Sequence, residues 1–311
     1  MAILRPIAIP LLLMICWSIS SCATGTDEPG GGAYNLPHID VIPVLIAEDP
    51  VIYAKENTVL SRPWALSQDA GVDLWMSAKN DGNQSIISLG GQTFQAQEAW
   101  ENGSVSDPCL TESWLIYTGG EGAGIGLAQQ FSGQWQRRSE PILTPTLDWE
   151  NGTITHPSLV VDVLLERTLL FYLGGNGAAI GVAAGSMDAG EFKALSQSPA
   201  LTPVSWNKDE NATLTGASVY LTQSALGRTI YGCLYSQQGA IGYAAGFEPT
   251  QLETLEVNPI LEQSGFDLSD PMRLGNYLLH VRNMEQYSPQ KGRVIGAATF
   301  LEVLSLDLFI E

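Results

Sequence analysis

The chain has 311 residues, of which 45% are hydrophobic and 15% charged, enough apolar mass to bury one large core or two small ones. Its 14 basic residues against 33 acidic ones leave a formal net charge of −19, which excludes a nucleic-acid binder built on basic patches and equally a basic face docked on anionic lipid. Sparse long charged side chains beside 32 glycines suit a turn-rich β protein better than a helical one.

The N-terminal segment MAILRPIAIPLLLMICWSISSC carries one early cation, Arg5, and then the apolar stretch 7–17, broken by Pro10. That stretch is too short to span a membrane as a stable helix and suits a signal-peptide core. It runs into Ile19-Ser20-Ser21-Cys22, which resembles the bacterial lipobox. The resemblance implies a signal peptide over 1–21, cleavage before Cys22 and acylation of that residue, with the lipid holding the protein to a membrane. Ala23 rather than Asp follows the cysteine, which in Gram-negative relatives favours the outer membrane. Residues 22–37 are small, polar and Gly-rich without periodicity, and read as a flexible tether. The domain then runs over 38–311. Of the four cysteines, Cys16 leaves with the signal and Cys22 takes lipid. Cys109 and Cys233 remain, either as one disulfide of an exported protein or as two buried thiols in apolar runs.

Five related segments follow along the chain: ENTVLSRP at 56–63, WENGSVSDP at 100–108, WENGTITHP at 149–157, ENATLTGA at 210–217 and GFDLSDP at 265–271. Aligned on the residue before the proline they give Arg62, Asp107, His156, Gly216 and Asp270, at intervals of 45, 49, 60 and 54 residues. Ala217 replaces the proline in the fourth copy, and a small hydroxyl (Ser61, Ser106, Thr155, Thr215, Ser269) precedes the aligned residue each time. Each copy continues into an apolar strand, then an aromatic-rich one such as SWLIYTGG or TLLFYLGG. A Gly-rich turn leads to a third strand such as GIGLAQ, and a weaker fourth stretch such as GQWQRR or EFKALSQ closes the unit. Four short strands with hairpin turns, repeated at this period, predict an all-β chain: a five-bladed β-propeller with four-stranded antiparallel blades.

The runs GGEGAGIG (119–126) and GGNGAAIG (174–181) lie between two strands with no helix after them, so they predict hairpin turns and close strand packing rather than a nucleotide site. Asn-x-Ser/Thr triplets at 102, 151 and 211 recur at one repeat position and predict turns. Trp100 and Trp149 are expected to fill the space between adjacent blades.

Trp-x6-[Asp or substitute]-Pro, the aromatic second strand and the IGLA-like third strand together resemble the five-bladed propeller glycosidases: arabinanases, β-xylosidases and the invertase and levansucrase relatives. The likeness covers roughly residues 55 to 300. It implies that each first strand lines a central funnel and that the residue before the proline points into it. Catalysis in that family needs three carboxyl groups: a base or nucleophile opening blade one, an aspartate opening blade three and a general-acid glutamate opening blade four. Arg62, His156 and Gly216 stand at those places here. A guanidinium stays charged and cannot act as the base, and glycine has no group to offer. Asp107 and Asp270 remain, opening blades two and five.

Two readings of the ring stand. Arg62, Asp107, His156 and Asp270 form either a polar pocket that hydrogen-bonds sugar hydroxyls or an Asp–Arg–Asp network that neutralises itself. His280, in YLLHVR, is one of three histidines; related arabinanases hold a central ion near such a residue, but a place in a second strand predicts packing within the blade, and no cofactor is expected. The leading expectation is a surface-anchored lipoprotein of the bacterial envelope that keeps the glycosidase scaffold, has lost hydrolysis, and binds a carbohydrate or other polar ligand. Its rivals are an active glycosidase with Asp107 and Asp270 as relocated carboxylates and Glu210 as acid, and a purely structural envelope protein.

Overall fold

The computed structural model describes residues 39–45, 52–53, 58–68, 71–163, 165–206, 212–224, 227–264, 266–275, 277–283 and 293–304. The signal segment, Cys22, the tether, Glu210 and the triplet at 211 lie outside the described residues.

The described residues form five antiparallel sheets. Blade one is Thr58–Gln68, Gly71–Asn80, Asn83–Ser88 and Thr93–Phe94. Blade two is Val105–Leu110, Trp114–Gly119, Gly124–Phe131 and Gln134–Arg137. Blade three is Ile154–Asp162, Arg167–Gly174, Ala179–Ser186 and Glu191–Ala194. Blade four is Leu214–Gln223, Thr229–Gln237, Ala240–Glu248 and Gln251–Thr254. The fifth sheet joins both ends of the chain. Asp267–Leu274, Tyr277–Asn283 and Arg293–Leu304 are completed by Ile39–Leu45, which runs antiparallel to the last of them, and Ile52–Tyr53 adds a short pairing. This is the all-β propeller the repeat predicts; closure by an N-terminal strand is not written in the repeat.

The first strands of the five sheets touch one another in cyclic order, blade one to two and on to five, then back to one. Each is the inner edge of its sheet. That is why a proline is tolerated there: the missing N–H faces the axis and interrupts no ladder. Hairpins between first and second strands lie on one face, here the lower. Turns between second and third strands, and the connections between blades, lie on the upper face.

The core is divided among the contacts between blades. In Arg167–Gly174, Leu169, Phe171 and Leu173 pack toward blade four, whereas Leu170 and Tyr172 pack toward blade two. A strand buried on both faces needs apolar side chains at every position, so its sequence is an unbroken run rather than an alternation. Each such side chain contributes about 1.5–3 kcal/mol. Trp149 and Trp100 join the clusters between blades two and three and between one and two, as expected. They stack on Tyr172 at 6.1 Å and Tyr117 at 6.0 Å.

The repeated Trp-Glu-Asn-Gly builds a single 3-10 turn in both copies. Asn102 and Asn151, both at φ 46°, end the turn in the left-handed region. The glutamates are buried. Glu101 accepts from the Glu98 N–H (2.9 Å), the Tyr117 hydroxyl (2.6 Å) and Arg137 Nη1 (2.8 Å). Glu150 accepts from the Leu147 N–H (2.7 Å) and the Tyr172 hydroxyl (2.6 Å). The glycine runs are hairpin turns, with Gly120, Glu121 and Gly122 all at positive φ. Cys109 and Cys233 are free buried thiols in different inter-blade clusters, which decides between the two readings of the pair.

Candidate functional site

The aligned residues converge. Arg62, Asp107, His156 and Asp270 line one space at the axis, with Ala217 and Ser218 supplying blade four's part of the wall. A shared backbone device aims them. In blades one, two, three and five the pairing of first and second strands skips one residue at this point, between Ser61 and Trp64, Ser106 and Cys109, Thr155 and Ser158, and Ser269 and Met272. Such a bulge re-aims a side chain that would otherwise alternate with its neighbours. The four bulged residues have φ of 54°, 56°, 55° and 51°. Non-glycine residues in that region, each followed by proline, carry strain of about 1–3 kcal/mol apiece, held by surrounding structure.

The support is visible. The Asp107 N–H donates to Ser77 Oγ at 2.8 Å, the His156 N–H to Asp107 Oδ2 at 3.2 Å, and the Asp270 N–H to Ser236 Oγ at 3.2 Å. Each acceptor comes from the preceding blade, so these three bulges are each propped by a neighbour. Ser77 and Ser236 are residues that sequence reasoning missed. Their signal was a lone serine in an otherwise apolar second strand, DLWMSAK and TIYGCLYS. The recurrent hydroxyl before the bulge also has a use: Thr155 Oγ1 lies 2.8 Å from His156 Nδ1, and Ser269 donates to Asp270 Oδ2 at 3.0 Å.

Blade four differs. Its register skip falls one step earlier, between Leu214 and Gly216, and Gly216 is not in the left-handed region. A Cβ there would meet Asp270 Cα at 2.7 Å and its Oδ1 at 2.9 Å. Glycine stands at this position because blade five's aspartate occupies the space of a side chain.

The four polar side chains mostly bind one another. Arg62 Nη1 pairs with Asp107 Oδ1, and Arg62 Nε lies 3.7 Å from Asp270 Oδ1. Arg62 Nη1 also approaches His156 Nδ1 at 3.2 Å. A guanidinium only donates, so Nδ1 must accept and the imidazole proton sits on Nε2. From there it faces the Thr215 carbonyl at 3.1 Å and Asp270 Oδ1 at 3.4 Å. Burial alone would raise both carboxyls. For Asp107 this is outweighed by Arg62 and then His156, which hold it at about 2. Asp270 is likewise lowered against its burial, by the hydrogen bond from His156 and the charge of Arg62. Arg62 is the most open member, its side chain 28% exposed against 2% for Asp107 and 5% for Asp270.

The free space among them is about 30 Å³. A larger space of about 270 Å³ opens further along the axis toward the lower face, walled by Trp64, Leu159, Val161, Tyr220, Leu221 and Met272. His280 is not in the ring. It is buried in its second strand, accepts from Arg282 Nε at 3.3 Å through Nε2, and is pushed down to about 3 by burial and then by Arg282. Among the described residues no group of three or more His, Cys, Asp or Glu side chains is placed to hold a metal ion.

No sequence-family model matches the chain, and no curated protein matches it. Solved structures do. A thermostable family-43 glycoside hydrolase superposes with a TM-score of 0.55 at 17% identity, covering 77% of this chain and 89% of that one. A GH43 endo-arabinanase from Bacillus licheniformis gives 0.54 at 13% identity, covering 79% and 94%. The α-L-arabinofuranosidase PaAbf62A from Podospora anserina, solved in complex with cellotriose, gives 0.57 at 9% identity, covering 81% and 95%. The chain has the fold of these glycoside hydrolase propellers.

Proposed function

We propose that this protein is a lipid-anchored component of the bacterial envelope, set on the outer membrane through Cys22. On this reading its glycosidase-like propeller does not hydrolyse, and it binds a glycan or another polar ligand across the Arg62 end of the funnel. One observation carries it: where glycoside cleavage needs a protonated acid beside an ionised partner, this ring has a cation between two carboxylates that are both held ionised. Asp107 at about 2 cannot donate a proton near neutrality, and Asp270 is lowered too. That weighs against the rival in which these two aspartates do the cleavage; its third candidate, Glu210, lies outside the described residues.

A ligand here rests on the ring rather than entering it, because the free space within the ring is about 30 Å³. Arg62 offers planar donors to hydroxyl or carboxylate oxygens. A similar propeller was solved with cellotriose, which supports a glycan as the first ligand to test. Retention on a panel of plant and bacterial polysaccharides is the measurement. The wild type should be retained by at least one, and Arg62→Lys, which keeps the charge but loses the fork, should be retained less. No retention by any member counts against ligand binding. Release of arabinose, xylose or fructose, abolished in Asp107→Asn, would restore the hydrolytic reading.

The purely structural reading is favoured by one specific fact, the small free volume inside a network whose charges pair with one another. It predicts that Arg62→Lys changes neither retention nor any other binding.

A further inference from the structure

Hairpins between first and second strands share the lower face, and most of their described turn residues are polar or glycine: Thr111, Glu112 and Ser113 in blade two, Gly227 and Arg228 in blade four, Gly275 in blade five. Blade three breaks the pattern. Val161, Val163 and Leu165 are 54%, 78% and 56% exposed at its hairpin. Such a turn ordinarily takes Gly, Asn, Asp or Pro, and three aliphatic side chains in water are a cost without a local return. The turn is firmly held. The Leu165 N–H donates to Asp162 Oδ1 at 3.1 Å, Asp162 Oδ2 accepts from the Tyr231 hydroxyl at 2.6 Å, and Arg167 Nε stands 3.6 Å from the same oxygen. Asp162 is turned inward, while Val163, Leu165 and the neighbouring Glu166 are left outside. Val72 and Tyr277, 55% and 38% exposed, carry the apolar character to the hairpins of blades one and five.

The strand order says what lies opposite. Tyr277, beside the blade-five hairpin, pairs with Thr299, and that strand runs on to Leu304, whose partner is Ile39. The chain before Ile39 therefore leaves at the lower face. Cys22 is 39 − 22 = 17 residues earlier. Seventeen residues reach at most roughly 60 Å when fully extended. We propose that the lower face lies against the lipid surface, with the blade-three hairpin dipping Val163 and Leu165 into it and the Arg62 ring turned away. This rests on the reading of Cys22 as an acylated anchor. A full chain of net charge −19 gains nothing from anionic headgroups, so the contact is carried by Val163 and Leu165 and adds to the anchor as a second membrane signal.

The test uses the full chain, purified in detergent and reconstituted into phosphatidylethanolamine–phosphatidylglycerol vesicles containing a nitroxide lipid. Fluorescent labels are placed at V163C on the hairpin and, separately, at V204C on the upper face. The V163C label should be quenched at least threefold more than the V204C label, with no dependence on the phosphatidylglycerol fraction. Equal quenching, or V163C labels that remain unquenched, overturns the proposal. The mass of the N-terminal peptide is measured on the same samples. An unacylated Cys22 overturns the anchor and the facing together, whereas acylation with equal quenching overturns the facing alone.

Discussion

The openings of blades two and three, residues 100–108 and 149–157, are nearly the same nine residues put to two kinds of use. Their first four build the same turn, stack the same Trp–Tyr pair and bury the same carboxylate under a tyrosine hydroxyl. Their ends point at the axis, and there one blade supplies Asp107 and the other His156. A position facing its own repeat must satisfy the same neighbours each time and is repeated. A position facing the axis meets unlike side chains from other blades and is free to change. The copies also differ in the buried half. Arg137, opposite Ala128, pairs with Glu101, whereas the matching place opposite Ala183 is Ala194, and Glu150 relies on N–H and hydroxyl donors.

That contrast sets the largest expected effect. Glu101→Ala leaves Arg137 buried without its carboxylate and should cost about 3–5 kcal/mol, read as a fall in the urea midpoint. Glu150→Ala strands only neutral donors and should cost less, about 1–3 kcal/mol per unsatisfied group at most. Equal losses would break the comparison.

The axis should respond to acid. Asp107 is depressed from its ordinary 3.8 to about 2. A lowered carboxyl contributes stability that is whole above the unfolded value and lost as pH falls through the folded one, so the window is from about pH 4 down to about 2. The contribution is ~2 kcal/mol, and Arg62→Met should flatten the stability curve across that window. An unchanged slope would separate Asp107 from Arg62.

Gly216→Ala should cost about 1–3 kcal/mol by overpacking against Asp270, despite an unremarkable backbone angle. A neutral result would mean blade five yields easily at the axis. The smallest effect is a silence. Burial pushes the Cys109 thiol up to about 12 and raises Cys233 as well, so iodoacetamide at pH 8 should label neither until the protein unfolds.

The repeat made the blades and the converging ring legible, because Arg62, Asp107, His156 and Asp270 occupy one place in a periodic pattern. Three things were hidden for physical reasons. Ser77 and Ser236 support bulges in neighbouring blades, a relation across 30 and 34 residues that no local pattern records. Glu101 and Glu150 look like surface acids until the turn they cap encloses them. Gly216 fitted the alignment yet sits on a shifted bulge, since the missing proline lets the register skip move.

The strand Ile39–Leu45 has its partner in Arg293–Leu304, at the far end of the chain. The earliest part of the domain to be synthesised therefore waits for the latest, and the circle cannot lock before residues 298–304 have been made. Until then an unpaired edge stays available to stray neighbours, so the newborn chain needs guarding and a late truncation would undo its beginning.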